Sequence, residues 1–309
     1  MTTIEQTDFQ VDHVKLDAHI GDVNLGQDSH HSHHLLDNHG SSAVVGQDSA
    51  APAIVAAEHK DKTPVLLDPL LTFASITLDD LESQRIAMEN RYRSLTQSGV
   101  SENGNEWGFG LDERNPQVAT MGALVDQARE MEKQAVKNLE KLMRQHPLGP
   151  WVKAQRGLGD KTTARLLGII GDPYWQTAED RPRTVSELWA YCGLAPGQKR
   201  RKGQQANWSD DAKKRAWLLA TSCVKAGGPY REVYDNRREQ TAGRVHETEC
   251  VRCGPSGKPA QPGSEWSKGH QHADALRITS KEILKDLWRE SKHQHELAEQ
   301  PTEELELAA

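Results

Sequence analysis

Gln155-Arg-Gly-Leu-Gly-Asp-Lys-Thr-Thr-Ala-Arg-Leu-Leu-Gly-Ile-Ile-Gly-Asp172 reads as a tight Gly-Leu-Gly turn running straight into a helix. Gly157 and Gly159 permit positive φ and let another backbone approach closely. Asp160 suits an N-cap or first-turn position, where its charge complements the helix dipole. Thr163, Leu166, Leu167 and Ile170 recur at helical spacing, so one face of that helix packs and holds the turn on a rigid support. A phosphate loop of the nucleotide-hydrolase kind is excluded. That motif needs Gly-x-x-x-x-Gly-Lys-Ser/Thr after a strand. Here Asp160 separates Gly159 from Lys161, Ala154 or Gln155 stands where the first glycine belongs, and Pro147–Ala154 reads as a short helix.

Two readings of the turn stay open. Free N–H groups at the turn, with Lys161 and Thr162 at the helix start, make an anion site. In that case the segment looks like the hairpin of a helix–hairpin–helix, which grips a nucleic-acid backbone without reading its sequence. Alternatively the turn is a packing joint between two helices and binds nothing.

Charge distribution favours the first reading. The net charge of −7 averages unlike parts: residues 147–295 hold twenty-six basic and seventeen acidic side chains, whereas 1–70 hold three and eleven. A basic body between acidic ends suits a phosphate binder whose tails limit loose contacts. Lys199, Arg200, Arg201 and Lys202 form a basic loop, and Lys213, Lys214 and Arg215 follow on a helix from about 210 to 226 that Ser209 caps.

Periodicity makes the ordered part all-α. Residues 1–72, rich in Asp, His, Ser and Gly, are expected to be a disordered acidic tail. Its histidines at 30, 31, 33 and 34 read as solvated sequence, with stray metal binding the alternative. Over 73–146, helices of about 78–97 (capped by Thr77) and 117–145 are expected to fold as an antiparallel hairpin, placing Arg85 opposite Glu132. That coiled-coil-like hairpin (78–145) is the candidate homodimer element. A nucleic-acid-binding domain spans 147–292, its last helix at about 272–292, and an acidic disordered tail follows over 293–309.

Within that domain, Cys250-x-x-Cys253 has the spacing of a metal knuckle. His270 and His272 would complete a structural zinc tetrahedron, with His246 a further possible ligand. A metal would explain how the core-poor insertion 244–272 stays ordered. The alternative is a mobile loop with two incidental thiols. Four cysteines make no disulfide framework, no signal peptide opens the chain, and no apolar run could span a bilayer. A soluble protein with no membrane partner, in a reducing compartment, is expected.

Several motifs occur in one order: Gly-Leu-Gly-Asp-Lys-Thr-Thr-Ala-Arg-Leu-Leu, Ile-Gly-Asp-Pro, Ser-Glu-Leu-Trp-Ala-Tyr-Cys-Gly-Leu-Ala-Pro, a basic loop and helix, Gly-Pro-Tyr-Arg-Glu-Val-Tyr, and Ala-Leu-Arg-Ile-Thr-Ser-Lys-Glu-Ile-Leu-Lys-Asp-Leu-Trp. Over about residues 147–291 the chain resembles the C-terminal domain of Piv/MooV-type insertion-sequence transposases, the IS-one-ten group. The resemblance implies DNA, possibly RNA, as partner and a cytoplasmic, nucleoid-associated protein of bacterial or phage origin. In that family a RuvC-like domain supplies acidic metal ligands and the C-terminal domain a serine nucleophile. Nothing before residue 78 reads as RuvC-like, and Arg201 or Lys202 stands where the serine belongs. Ser209 is the nearest replacement and reads as a helix cap, so a binding protein without its own nucleophile is expected. The rivals are a recombinase subunit that uses a separate RuvC-like chain, and a helical interaction module working through its hairpin.

Overall fold

The computed structural model describes residues 65–198, 203–254 and 258–299. Expectations for the tail over 1–64, including its histidine run, for Lys199, Arg200, Arg201 and Lys202, and for 300–309 lie outside the described residues. The architecture is all-α. Among the described residues there are eight helices: α1 (Pro69–Thr96), α2 (Pro116–Gln145), α3 (Gly149–Ala154), α4 (Asp160–Ile170), α5 (Val185–Tyr191), α6 (Asp210–Ala226), α7 (Pro229–Gln240) and α8 (Lys268–Glu299). Two short antiparallel ribbons join them, β1–β2 (Ser98–Val100 with Glu106–Gly108) and β3–β4 (Trp175–Gln176 with Arg181–Pro182).

α1 and α2 run antiparallel, tied by Arg85 to Glu132 and by Arg129 to Glu89 at 2.7 Å. In their outer halves Val118 and Val125 are buried, but the packing is incomplete. An apolar cavity of about 340 Å³ between Tyr92, Leu95, Met121 and Leu124 stays open, and Met121 and Leu124 are exposed. The inner halves belong to the body, where Leu78, Leu139 and Met143 join Leu166, Leu219 and Leu284 in one core. α4 crosses α1 so closely that a Cβ on Gly168 would lie 2.5 Å from the Ser75 Cβ.

α1 begins nine residues before the expected start. Asp68 accepts from the Leu70 and Leu71 amides, Pro69 occupies the first turn, and Leu66 and Leu71 are buried, so residues 65–72 are structured. Thr77 lies inside the helix. α8 extends past the expected range at both ends, to Lys268 and Glu299. Its C-terminal half is held by His295, which is buried against Asp172 at 2.6 Å and stacks on Trp175. Those partners are distant in sequence, so local composition at 293–299 concealed the continuation.

Candidate metal centre and nucleic-acid interface

After α7 the chain runs out and back as a narrow ribbon. Val245 bridges Glu265, and Cys250 exchanges two backbone hydrogen bonds with Ala260, at 2.9 and 2.8 Å. Between Cys250 and Cys253 the backbone makes a knuckle closed by Cys253 N–H donating to the Cys250 carbonyl at 3.4 Å. Ser267 then starts α8, its hydroxyl accepting from the His270 amide at 3.1 Å. These elements bring His246, Cys250, Cys253 and His270 together, with one donor atom of each within 4.8 Å of all the others.

A tetrahedral zinc site, with bonds of roughly 2.0–2.3 Å, sets its ligand atoms roughly 3.3–3.8 Å apart. His270 Nδ1 lies 3.7 Å from the Cys250 sulfur and 3.2 Å from that of Cys253. His246 Nε2 is buried and has no hydrogen-bond partner, which leaves it free to act as a ligand. Burial lowers the His270 pKa, which keeps the imidazole in its neutral, ligating form. Burial raises the Cys253 thiol, but hydrogen bonds from the Ser267 side chain and backbone outweigh it and the net shift is downward. Trp266 stacks on His270 at 4.0 Å with Arg244 4.7 Å from the indole, fixing the ring plane. The donor set could hold a metal ion.

His272 is not part of this cluster, and His246 takes its place. Because α8 already begins at Lys268, residues 270 and 272 point to nearly opposite sides of a helix. The His272 Nδ1 instead lies 2.7 Å from the Tyr234 hydroxyl, which also accepts from Arg238 at 3.2 Å. Two-residue spacing separates the two histidines on a helix, whereas His246, four residues before Cys250 on the facing limb, lies within reach of both thiols.

The Gly-Leu-Gly turn lies between α3 and α4. Gly157 has φ +92°, and a Cβ there would lie 2.6 Å from the Cys223 Cα and 3.0 Å from the Ala226 Cβ. Packing against α6 therefore explains this glycine without any ligand. Gly159 is exposed and is the N-cap of α4; with no capping side chain, the amides of the first turn are open to an external acceptor. Lys161 and Thr162 are half-buried beside it. Arg156 is exposed at the same turn, its side chain lying along Gly228, and was not singled out from the sequence although it sits within the quoted motif.

The other candidates are scattered. Ser209 Oγ accepts from the Ala212 amide at 3.1 Å and caps α6. Lys214 is exposed, and Lys213 lies 4.9 Å over the Trp208 ring. Arg215 is turned inward: it is buried and pairs with Asp79 at 2.5 Å, so it does not belong to a surface patch. Its position on the packed face of α6, with Ala212, Ala216 and Leu219, accounts for this.

No family model matches the chain, and no solved structure matches it. One comparison gives a relative. The chain is similar to an insertion-element protein. It is 30% identical over 141 residues to the uncharacterized 43.6 kDa protein of insertion element IS110 from Streptomyces coelicolor, a stretch covering 44% of this chain. The match spans about a third of the relative's length, 32%. Among the described residues no helix is long and apolar enough to cross a membrane.

Proposed function

We propose that this chain is a transposase-like, nucleic-acid-binding protein of a mobile element, with DNA as its main partner. The observation that carries the reading is the 141-residue similarity to an insertion-element protein. The basic body over 147–295 and the open amides at Gly159 support it. Gly159, Lys161 and Thr162 contact one phosphate, with Arg156 beside them. Lys199, Arg200, Arg201 and Lys202, with Lys213 and Lys214, neutralise another run. Contacts to the backbone position the nucleic acid and give affinity without base specificity. With Arg201 or Lys202 where the family resemblance expects a serine, the chain holds nucleic acid and does not form a covalent intermediate with it.

A structural zinc ion belongs to the same reading. His246, Cys250, Cys253 and His270 would hold it, four ligands leaving no open position for catalysis. The open groove on the outer half of the α1–α2 hairpin is assigned to a second copy of the chain.

Salt titration tests the central claim. Binding of a DNA duplex should fall steeply as salt rises, log K declining linearly against log salt by about 0.9 per phosphate neutralised. Lys161→Gln and Lys214→Gln should each lower that slope by about one without changing sequence preference. A flat dependence, or full binding by a variant with the four cations of 199–202 reversed, rejects the proposal.

A further inference from the structure

Where α7 meets the first half of α8, three cations share one carboxylate. Asp274, with 10% of its side chain exposed, accepts from Arg237 at 2.6 Å and from Arg277 at 2.8 Å. Burial raises its pKa, but Arg277 and Arg237 outweigh that and hold it below the ordinary value. One acid thus serves two guanidiniums. Lys281 stands one turn beyond Arg277 on the same side of α8 and has no ion pair among the described residues. Burial lowers its pKa, the positive charge of Arg277 lowers it further, and no negative charge opposes them.

The neighbouring acids are engaged elsewhere or point away. Glu282 pairs with Lys285 at 2.5 Å, and Glu187 of α5 pairs with Arg181 at 2.8 Å. Asp235 and Glu239, two residues either side of Arg237, project from the opposite side of α7. Like charges four residues apart on a helix repel, with Cβ atoms roughly 5–6 Å apart, close enough for one anion to touch both and relieve the repulsion. Arg277 keeps 38% of its side chain exposed and Lys281 is half-buried, so solvent reaches both.

The pair is also held in place. The Lys281 ammonium lies 3.9 Å over the Trp189 ring, whose N–H donates to the Lys281 carbonyl at 3.0 Å. A lysine fixed in this way loses less freedom on binding. Ser280, between the two cations in the chain, donates to the Ala216 carbonyl at 3.3 Å. That bond packs this stretch of α8 against α6, where Lys213 precedes Ala216 by about one turn. The pair therefore stands beside a helix already proposed to meet nucleic acid. A guanidinium fork matches phosphate geometry, and an ammonium adds a point charge.

We propose that Arg277 and Lys281, with Arg237 behind them, form a phosphate subsite on α8 that takes the backbone of the bound nucleic acid. This inference rests on the nucleic-acid reading above, and the test separates the two. Binding of labelled single- and double-stranded DNA to the full-length protein is followed by fluorescence anisotropy across a range of salt, with polyglutamate as a second polyanion. The variants are Lys281→Gln, which breaks no ion pair, and Arg277→Gln/Lys281→Gln. Lys285→Gln, whose charge Glu282 already neutralises, is the control. Circular dichroism checks that all three fold.

The slope of log K against log salt should fall by about one in Lys281→Gln and by about two in the double variant, with Lys285→Gln like wild type. A lowered slope in Lys281→Gln but not in Lys161→Gln supports the subsite and rejects the assignment at the Gly-Leu-Gly turn. Steep, wild-type slopes in both folded variants overturn the subsite and leave the nucleic-acid reading intact. An equal fall in Lys285→Gln overturns it too, because any charge on α8 then suffices. Polyglutamate binding lost in the variants with DNA binding unchanged overturns it and gives this surface to an acidic protein segment. A wild-type protein that binds no DNA ends both readings.

Discussion

His146 is held neutral by its neighbours. Its Nε2 lies 3.2 Å from the Leu66 carbonyl, to which it donates, and its Nδ1 accepts from the Leu148 amide at 3.2 Å. A proton on Nδ1 would face that N–H. Burial, the largest effect, lowers its pKa below the ordinary value. The folded protein therefore binds this proton less readily than the unfolded chain. The resulting stability is present above pH ~6.5 and is lost as pH falls through the lowered folded value. Urea denaturation across that range should show the loss, and His146→Gln should show less of it. The candidate metal ligands give a second prediction at this scale. After dialysis against limiting zinc, His246→Ala should retain far less metal than wild type by mass spectrometry, whereas His272→Ala should retain it. Equal loss in both would return His272 to the ligand set.

Among the elements, the junction of α1, α4 and α6 is tied by a buried polar network. Arg165 and Arg215, both buried, converge on Asp79, and Arg165 also pairs with Glu82 at 2.6 Å. The Nε atoms of both arginines lack partners, so the guanidiniums depend on these few carboxylate contacts. Asp79→Ala should destabilise the protein by about 2 kcal/mol, below the full cost of breaking a buried pair because Asp79 is one-third exposed. A chemical melt reads this directly; a change within error would mean that Glu82 alone compensates. The hairpin above this junction was easier to read. Arg85 and Glu132 each interrupt an apolar stripe, and two such interruptions at matching registers imply a pair, which the structure contains. Nothing comparable announced Asp79: its partners lie 86 and 136 residues away, so no local period encodes them.

Across the whole molecule, α8 acts as the tie. Near its start it carries His270 of the His246–Cys250–Cys253–His270 cluster, and near its end His295 closes on Asp172. Between them, Trp189 donates its indole N–H to the Lys281 carbonyl at 3.0 Å and Trp288 donates to that of Arg183 at 2.8 Å. The Cys250–Cys253 insertion, the loop after α4, α5 and the end of the β3–β4 ribbon are therefore anchored to one long helix. Lys161 and Lys214, proposed to contact nucleic acid, stand on α4 and α6, so the backbone that carries them is already ordered before binding.

Composition and hydrophobic period were enough to determine the all-α class, the hairpin with its charge pair, the Ser209 cap and the Cys-x-x-Cys knuckle. Each depends on neighbours within a few turns or on the match between two periods. Only the tertiary structure decided that Arg215 points inward, that His246 displaces His272 from the cluster, that α8 runs from Lys268 to Glu299, and that Arg183 is buried. Those outcomes are set by partners far apart in sequence, where burial and charge pairing override what a local stretch prefers. The Gly-Leu-Gly turn combines both. Its shape was legible from two glycines and an aspartate, yet the close approach of α6 accounts for Gly157 and leaves Gly159 as the glycine exposed to a ligand.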